Sequence, residues 1–296
     1  MERALRDKKA ILFFSLPAVI WFLAIVVIPV ALSVGYSLLQ WDGLTTPKFL
    51  GIQNYLVLLQ DKQFLRSALN SLTLAAASVF IQLPISMLLA QVLASGVRHE
   101  KLFLNLLFIP VVISSTVIGQ LWKKIYHPNY GLLNALLKIV GLENLTSNWL
   151  GDPASALIAC LIPMIWQYIG YHMLLYYSST KGISPDIFDA ARVDGASKWQ
   201  ISTRIVLPMI LPMIQASTIF AVVGSLKSFD MIYILTNGGP NHASEVPALT
   251  MYQKIFSSNQ YGYASAISIV IIVECLLLTV LVQWIFKWLE KRWGSA

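Results

Sequence analysis

The sequence predicts an all-α integral membrane protein with six transmembrane helices. Two observations favour this fold: a strongly apolar composition, and six separate apolar blocks of spanning length. Of the 296 residues, 57% are hydrophobic and only 12% are charged, and the mean hydropathy is +0.68. Soluble domains carry about 25% charged residues, so a chain this apolar belongs in a bilayer.

Each of the six blocks is long enough to cross a hydrocarbon core of about 30 Å as a helix. We expect one transmembrane domain over residues 1–296, with spans at about 11–39, 68–93, 102–121, 155–177, 209–235 and 263–288. The first block follows basic residues but is too long for a signal peptide and has no evident small-residue cleavage site, which indicates an uncleaved span. An even number of spans places both termini on one side.

The distribution of lysine and arginine orients the chain, because cytoplasmic loops of membrane proteins are enriched in these residues. The side that holds both termini and the segment 184–208 carries thirteen of the 21, and Lys227 lies inside a span. We therefore expect the termini and this segment to be cytoplasmic. The basic residues lie at span ends and not on one face, which argues against nucleic-acid binding despite a net charge of +7.

The segment 184–208, called the elbow below, has the pattern of two helices joined by a turn. Ser184, which precedes a proline, is typical of a helix N-cap. Gly195 favours the left-handed conformation that ends a helix. Ser197 and Gln200 have the spacing of a capping box, so a second helix should start directly after Ser197. A solvated connecting loop would need none of these features.

The elbow also resembles the EAA loop of the membrane subunits of binding-protein-dependent ABC importers. In that family the loop docks in a groove of a cytoplasmic ATPase, so the resemblance implies a set of ATPase-coupling residues. They are Asp189, Ala190, Ala191, Asp194, Gly195, Ile205, Leu207 and Pro208. Asp189 stands where the family usually has glutamate, so the charge is kept on a side chain one methylene shorter.

A second resemblance lies at the end of the fifth apolar block. The run FDMIYILTNGGP, residues 229–240, is similar to the fifth-span exit of carbohydrate-importer permeases, Phe-Asp-x-Ile-Tyr-x-Leu-Thr-x-Gly-Gly-Pro. Together the two motifs imply a carbohydrate ABC importer permease of the maltose-type family, with the type I importer fold. The implied function is ATP-driven, binding-protein-dependent import of a mono- or oligosaccharide by alternating access, across the cytoplasmic membrane of a bacterium or archaeon.

The same resemblance implies an assembly. The expected partners are a second homologous permease subunit, a dimer of cytoplasmic ABC ATPases, an extracytoplasmic sugar-binding protein, the sugar and membrane lipid, without nucleic acid. The sequence has no phosphate-loop pattern and no metalloprotease or serine-hydrolase motif. Cys160 and Cys275 lie in apolar blocks without metal-ligand neighbours. We therefore expect neither an enzyme nor a cofactor or metal site in this chain, with ATP and Mg²⁺ used by the partner ATPase.

Polar side chains inside the spans are candidates for the sugar pathway, because placing them in a bilayer is costly. Sugars stack on aromatic rings and bond to amides and charges. The candidates are Trp166, Gln167, Tyr171, His172, Lys227, Ser228, Asp230 and Glu274. Helix packing or an aromatic belt explains the fourth-span group equally well, and mutual neutralisation on one helix face explains Lys227 with Asp230.

Two other functions fit parts of the sequence. An ion-coupled secondary transporter would use Glu274, Asp230 and Lys227 as coupling groups. Such a transporter leaves the elbow without a role, and no inverted repeat is evident. A membrane-embedded enzyme would need a nucleophile or a metal set that the motifs do not supply.

Overall fold

The computed structural model describes residues 8–293, with side chains described from 11 to 291. Arg3 and Arg6, two of the thirteen lysines and arginines counted on the side of the termini, lie outside the described residues. The helices are α1 (Lys8–Phe22), α2 (Ile28–Ser37), α3 (Gln53–Leu58), α4 (Lys62–Ala77), α5 (Leu83–Ala94), α6 (Glu100–Val112), α7 (Ser115–Ile125), α8 (Leu132–Ile139), α9 (Ala156–Lys181), α10 (Pro185–Val193), α11 (Lys198–Gln200), α12 (Leu207–Met209), α13 (Leu211–Leu226), α14 (Asp230–Leu235), α15 (Pro247–Phe256) and α16 (Tyr261–Trp293).

Short irregular segments complete the secondary structure. Three π-helical segments join consecutive helices: Leu23–Val27 between α1 and α2, Ser78–Gln82 between α4 and α5, and Ile201–Val206 between α11 and α12. One 3₁₀ turn covers Glu143–Leu145. Strands β1 (Leu39–Gln40) and β2 (Lys48–Phe49) form an antiparallel pair, with Leu39 opposite Phe49 and Gln40 opposite Lys48.

Five runs of helix are long and apolar enough to cross a membrane. They are Ile11–Ser37, Lys62–Ala94, Ala156–Lys181, Leu211–Leu235 and Tyr261–Lys291. The pair α6 and α7 supplies a sixth span when it is counted as one. The predicted all-α membrane fold is confirmed, with six spans when α6 and α7 are counted as one bent span.

The third predicted span, 102–121, differs from a straight helix because α6 and α7 meet at an angle of 95°. Ile113 and Ser114 are extended, with ψ values of 135° and 143°. The Ser114 hydroxyl accepts a hydrogen bond from the Val117 amide at 3.4 Å and so caps α7. A serine that bonds a nearby backbone amide favours a helix start, which explains why an apolar run of spanning length is interrupted here.

The fifth predicted span, 209–235, is also interrupted. Helix α13 ends at Leu226 and α14 begins at Asp230, so residues 227–229 form a second break. Asp230 lies in the first turn of α14, where a carboxylate is favoured by the helix dipole. Apolar periodicity does not reveal this break, because it lies within one apolar block of spanning length.

Within residues 62–250 and 271–293, helices α5 and α6 both pack on α9. The α6 contact depends on Gly170, where an added Cβ would lie 2.0 Å from the Leu107 carbonyl oxygen. The two segments that follow the breaks, α7 and α14, also pack on each other. There an added Cβ at Gly119 would lie 2.7 Å from Ile234 Cγ2.

A buried carboxylate fixes the loop between α14 and α15. Glu245 is fully buried, and both its oxygens accept from Gln63 Nε2 at 3.0 Å. The Thr250 hydroxyl donates to it at 2.7 Å, and His242 Nδ1 is also in contact with it. Asn70 Nδ2 adds a bond of 2.8 Å to the backbone oxygen of Glu245. These contacts tie the loop that follows the Gly-Gly-Pro motif to α4.

Residues 8–61 and 251–270 form a separate compact unit. Its turn between β1 and β2 is organised by Asp42, whose Oδ1 accepts from the amides of Leu44 at 3.0 Å and Thr45 at 2.7 Å and from the Thr45 hydroxyl at 2.8 Å. These donors, with the Thr45 amide first, lower the pKa of Asp42 to about 2. The carboxylate therefore stays charged at any physiological pH.

Candidate functional site

A cavity of about 330 Å³ lies among the second to fifth spans. Its wall is formed by Ser78–Gln82, α7, α9, α13, the break at 227–229 and α14. Six of the eight predicted pathway residues line it: Gln167, Tyr171, His172, Lys227, Ser228 and Asp230. The structure therefore brings together residues of the fourth and fifth spans that are about 60 positions apart in the sequence.

The other two predicted pathway residues do not line this cavity. Trp166 is 40% exposed, and its ring meets that of Trp122 edge-on at 6.0 Å between centroids. Glu274 lies on α16, and none of the described residues of that helix belongs to the cavity wall. The fourth-span aromatic group is thus divided, with Trp166 in a packing contact and Tyr171 at the cavity.

Lys227 and Asp230 do not form the neutralising pair that was the alternative to a pathway role. Among the described residues, no ion pair joins them. Residues three apart face each other only on a continuous helix, and here the break separates Lys227 from the start of α14. Both side chains are exposed and line the cavity, so a cation and a carboxylate can each meet a ligand.

The cavity wall is held by hydrogen bonds between distant elements. His172 is 3% exposed, and its Nδ1 lies 2.6 Å from the hydroxyl of Ser217 on α13. The hydroxyls of Ser78 and Ser225 lie 2.9 Å apart and join the second span to the fifth. Buried polar groups satisfied in this way fix the positions of the helices that carry them.

Two polar atoms of residues in the wall lack such a partner. The Gln167 amide nitrogen donates to the Ile113 carbonyl at 3.1 Å, but its oxygen Oε1 is buried without a hydrogen-bond partner among the described residues. The Ser228 hydroxyl is likewise buried without a hydrogen-bond partner among the described residues. Ile113 belongs to the break between α6 and α7, and Ser228 to the break between α13 and α14.

The elbow folds largely as its sequence predicts. The capping box forms, with the Gln200 amide donating to Ser197 Oγ at 3.3 Å and the Ser197 amide donating to Gln200 Oε1 at 2.7 Å. Gly195 has a φ of +77°, the left-handed conformation expected after α10. One detail differs: the Ser184 hydroxyl donates to the Asp186 carboxylate at 3.3 Å and does not cap α10.

The apolar side of α10 faces the protein and not the solvent. Ile187 and Phe188 pack against the buried cluster of Ile183, Val206 and Ile210. Of the predicted coupling residues, Ala191 is buried; Ile205, Leu207 and Pro208 are half-buried; and Asp189, Ala190, Asp194 and Gly195 are exposed.

Two large apolar side chains of the elbow face outward. Val193 is 88% exposed and Trp199 is 71% exposed. Neither was among the predicted coupling residues, although both flank the turn at Gly195. Asp189 beside them accepts from Arg192 Nη1 at 2.7 Å in an exposed pair.

The chain matches the family described as the binding-protein-dependent transport system inner membrane component, over residues 10–295. It belongs to this family. The protein is therefore a multi-pass membrane protein and a permease component of an ABC importer, and the ion-coupled alternative has no support.

Individual relatives cover almost the whole permease. YurN of Bacillus subtilis strain 168, a probable ABC transporter permease, is 37% identical over 277 residues, which cover 93% of this chain and 94% of that protein. MsmF of Streptococcus mutans, a multiple sugar-binding transport system permease protein, is 32% identical and covers 83% of this chain and 84% of its own length. In a solved bacterial ABC transporter involved in import of the acidic polysaccharide alginate, one chain superposes with a TM-score of 0.81 at 25% identity, covering 97% of both chains.

Sequence reasoning about the permease missed several residues of the cavity wall. Ser78, Gly224 and Ser225 line it, as do the apolar side chains of Met164, Phe220 and Met231. The available signal was the run of small residues on the fifth span, since Gly224, Ser225 and Ser228 share one side of a helical sequence. Small residues in membrane helices are also common at packing contacts, so this signal alone does not distinguish a cavity from an interface.

Proposed function

We propose that the permease moves a mono- or oligosaccharide through the cavity among its second to fifth spans. The observation that carries this proposal is the composition of the cavity wall. It combines the amides of Gln82 and Gln167, an exposed cation and carboxylate at Lys227 and Asp230, and the ring of Tyr171. Rings and hydrogen-bonding groups on one wall match the two faces of a sugar.

The relatives support the substrate class. MsmF is named as part of a multiple sugar-binding transport system, and the solved transporter with the matching chain imports alginate, a polysaccharide. Because one protein is named for multiple sugars and the other transporter for an acidic polysaccharide, they support a saccharide without selecting one.

We further propose that the chain works in an assembly with a second permease subunit, a cytoplasmic ATPase dimer that binds ATP and Mg²⁺, and an external sugar-binding protein. The family description supports the binding protein. The exposed elbow supports the ATPase, because Val193 and Trp199 are large apolar side chains that a partner groove would bury. In this arrangement the termini and elbow are cytoplasmic, as the lysine and arginine distribution predicts.

In the proposed mechanism, the ATPase binds one permease conformation more tightly than the other and thereby switches the access of the cavity. A ligand or partner shifts an equilibrium only by its difference in affinity for the two states. The elbow transmits this difference because its inner side packs on Ile183, Val206 and Ile210. Val206 and Ile210 lie next to the start of the fifth span, which lines the cavity.

The test is purification of the tagged permease from its own cells, followed by reconstitution of the co-purified assembly in liposomes. We expect an ATPase and a second permease to co-elute, and sugar-loaded binding protein to stimulate ATP hydrolysis. Xylose, trehalose, maltotriose and an alginate trisaccharide serve as labelled probes for uptake. Uptake that follows a proton or sodium gradient in the absence of ATP would overturn the proposal.

A further inference from the structure

The unpartnered oxygen of Gln167 lies in a side chain that is otherwise fully fixed. The residue is 3% exposed, and its Nε2 is anchored to the Ile113 carbonyl at 3.1 Å. With the nitrogen on the backbone of the break, Oε1 has no hydrogen-bond partner among the described residues. Gln167 lines the cavity. A buried acceptor without a partner is costly, so in a native protein it points to a functional role or to a further partner such as a water or a ligand.

Ser228 repeats this arrangement at the second break. Its Oγ is buried and has no hydrogen-bond partner among the described residues, and the residue lines the same cavity. A serine inside a helix usually bonds the backbone of the preceding turn, as Ser225 Oγ does to the Ala221 carbonyl at 2.8 Å. Ser228 follows the end of α13 and does not make this bond.

Cavity lining separates these two residues from the other buried polar atoms without partners in the described chain. The remaining two are Trp122 Nε1 and Tyr126 Oη, and neither residue lines the cavity. Gln167 and Ser228 do line it, and each is connected to one helix break: Gln167 is hydrogen-bonded to Ile113 in the first, and Ser228 lies in the second. The segments that follow the breaks, α7 and α14, pack on each other through Gly119 and Ile234. A movement at one break is therefore passed to the other through this contact.

We propose that Gln167 and Ser228 are the residues through which a bound sugar holds both helix breaks. One sugar hydroxyl donates to Gln167 Oε1, while a second exchanges a hydrogen bond with Ser228 Oγ. The sugar then joins the break at Ile113, through the Gln167 amide, to the break at Ser228. Occupancy is thereby transmitted to the α7–α14 pair. This inference rests on the proposed sugar transport.

The test uses the complete assembly in liposomes with the four labelled probes named above. Ser228→Ala removes only the hydroxyl, and Ser228→Thr keeps it. Gln167→Met removes both amide functions with little change in volume. Gln120→Met is the matched control, because Gln120 is exposed on α7 and does not line the cavity.

For whichever probe the unmodified assembly transports best, we expect Ser228→Ala to lower the uptake rate about three- to tenfold, the effect of one lost hydrogen bond. Gln167→Met should lower it more than tenfold, because it also releases Ile113. ATP hydrolysis stimulated by the binding protein should stay within twofold, so the ATP used per sugar rises. Ser228→Thr should retain more uptake than Ser228→Ala, because it keeps the hydroxyl. Gln120→Met should transport within twofold of the unmodified assembly.

Three outcomes overturn the inference. Uptake within twofold in both Ser228→Ala and Gln167→Met shows that the two atoms do not contact the sugar. A parallel loss of uptake and ATP hydrolysis shows a structural role only, and loss in Ser228→Thr equal to that in Ser228→Ala shows that the hydroxyl is not the active group. If the unmodified assembly transports none of the four probes, the proposed sugar function fails first, and the two failures are thus distinguishable.

Discussion

The elbow and the cavity wall are built by opposite means. The elbow is held by bonds between residues three apart, such as Ser197 with Gln200 and Asp189 with Arg192. The cavity wall is held by bonds between different spans, such as His172 with Ser217, 45 residues apart. The elbow exposes apolar side chains outward, whereas the cavity wall turns polar side chains inward.

Because of this difference, substitutions in the two regions should affect different properties: the stability of the permease in one case, and its coupling to a partner in the other. A change at a contact between the spans that form the cavity wall disturbs their packing and should reduce the free energy of unfolding. A change on the outer side of the elbow leaves the spans packed, and should reduce only the transmission of force to or from a partner. Substitutions in the two regions therefore test the comparison directly, because melting temperature and transport should respond separately.

The largest effect on stability is expected at Gly170, beside the cavity wall. In Gly170→Ala the new methyl would lie 2.0 Å from the Leu107 carbonyl oxygen, so α6 must move away from α9. We expect a loss of about 3 kcal/mol or more in the free energy of unfolding, measured by thermal melting of the purified protein in detergent. Gly224→Ala is the control, since nothing lies within 4 Å of its added methyl. Equal melting of the two variants would contradict the close crossing.

A smaller loss is expected when one member of the His172–Ser217 pair is removed. Ser217 is fully buried, so Ser217→Ala leaves Nδ1 of His172 without its partner. We expect a cost of about 1–3 kcal/mol in thermal melting. The double variant with His172→Leu should cost less than the sum of the two single variants, because the unpaired group is then absent. Strict additivity would show that the 2.6 Å contact contributes nothing.

The same contrast explains what the sequence could predict. The elbow's caps and its turn at Gly195 depend on neighbouring residues, so their positions follow from local spacing. The two helix breaks were not predicted, because each lies within an apolar block of spanning length and the polar residues there, Ser114, Lys227 and Ser228, also occur inside continuous spans. Six of the eight predicted pathway residues line one cavity, and they were selected because polar side chains in a span are rare. The separation of Lys227 from Asp230 depends on a break that periodicity does not show.

Glu245 illustrates the remaining limit. In the sequence it is one charged residue in a polar loop, with nothing to distinguish it from a solvated side chain. Its burial depends on Gln63 and Asn70, about 180 positions away. Contacts at such a distance along the chain are fixed by how the spans pack, and one sequence alone does not reveal that packing.

In the elbow, Gly195→Val should strongly reduce coupling to the ATPase while leaving the spans folded. A β-branched residue at a φ of +77° is strained by about 1–2 kcal/mol, and the turn between α10 and α11 must change direction. We expect at least tenfold slower sugar uptake in the reconstituted assembly, with melting close to that of the unmodified protein. Gly182→Val is the matched control, since Gly182 ends α9 with an ordinary φ of −75°. Normal uptake by Gly195→Val would count against the elbow as a rigid connection.

The smallest effect on stability is expected at Asp189, and it decides how the elbow meets its partner. The pair with Arg192 is about two-thirds exposed on both sides, and such pairs contribute about 0–1 kcal/mol, so Asp189→Ala should leave melting almost unchanged. If the carboxylate docks on the ATPase, stimulation of ATP hydrolysis should fall severalfold, and Asp189→Glu should retain it. Unchanged stimulation of ATP hydrolysis in Asp189→Ala, together with reduced stimulation in Trp199→Ala, would show that docking depends on the exposed apolar side chains. The Asp189 carboxylate would then only pair with Arg192.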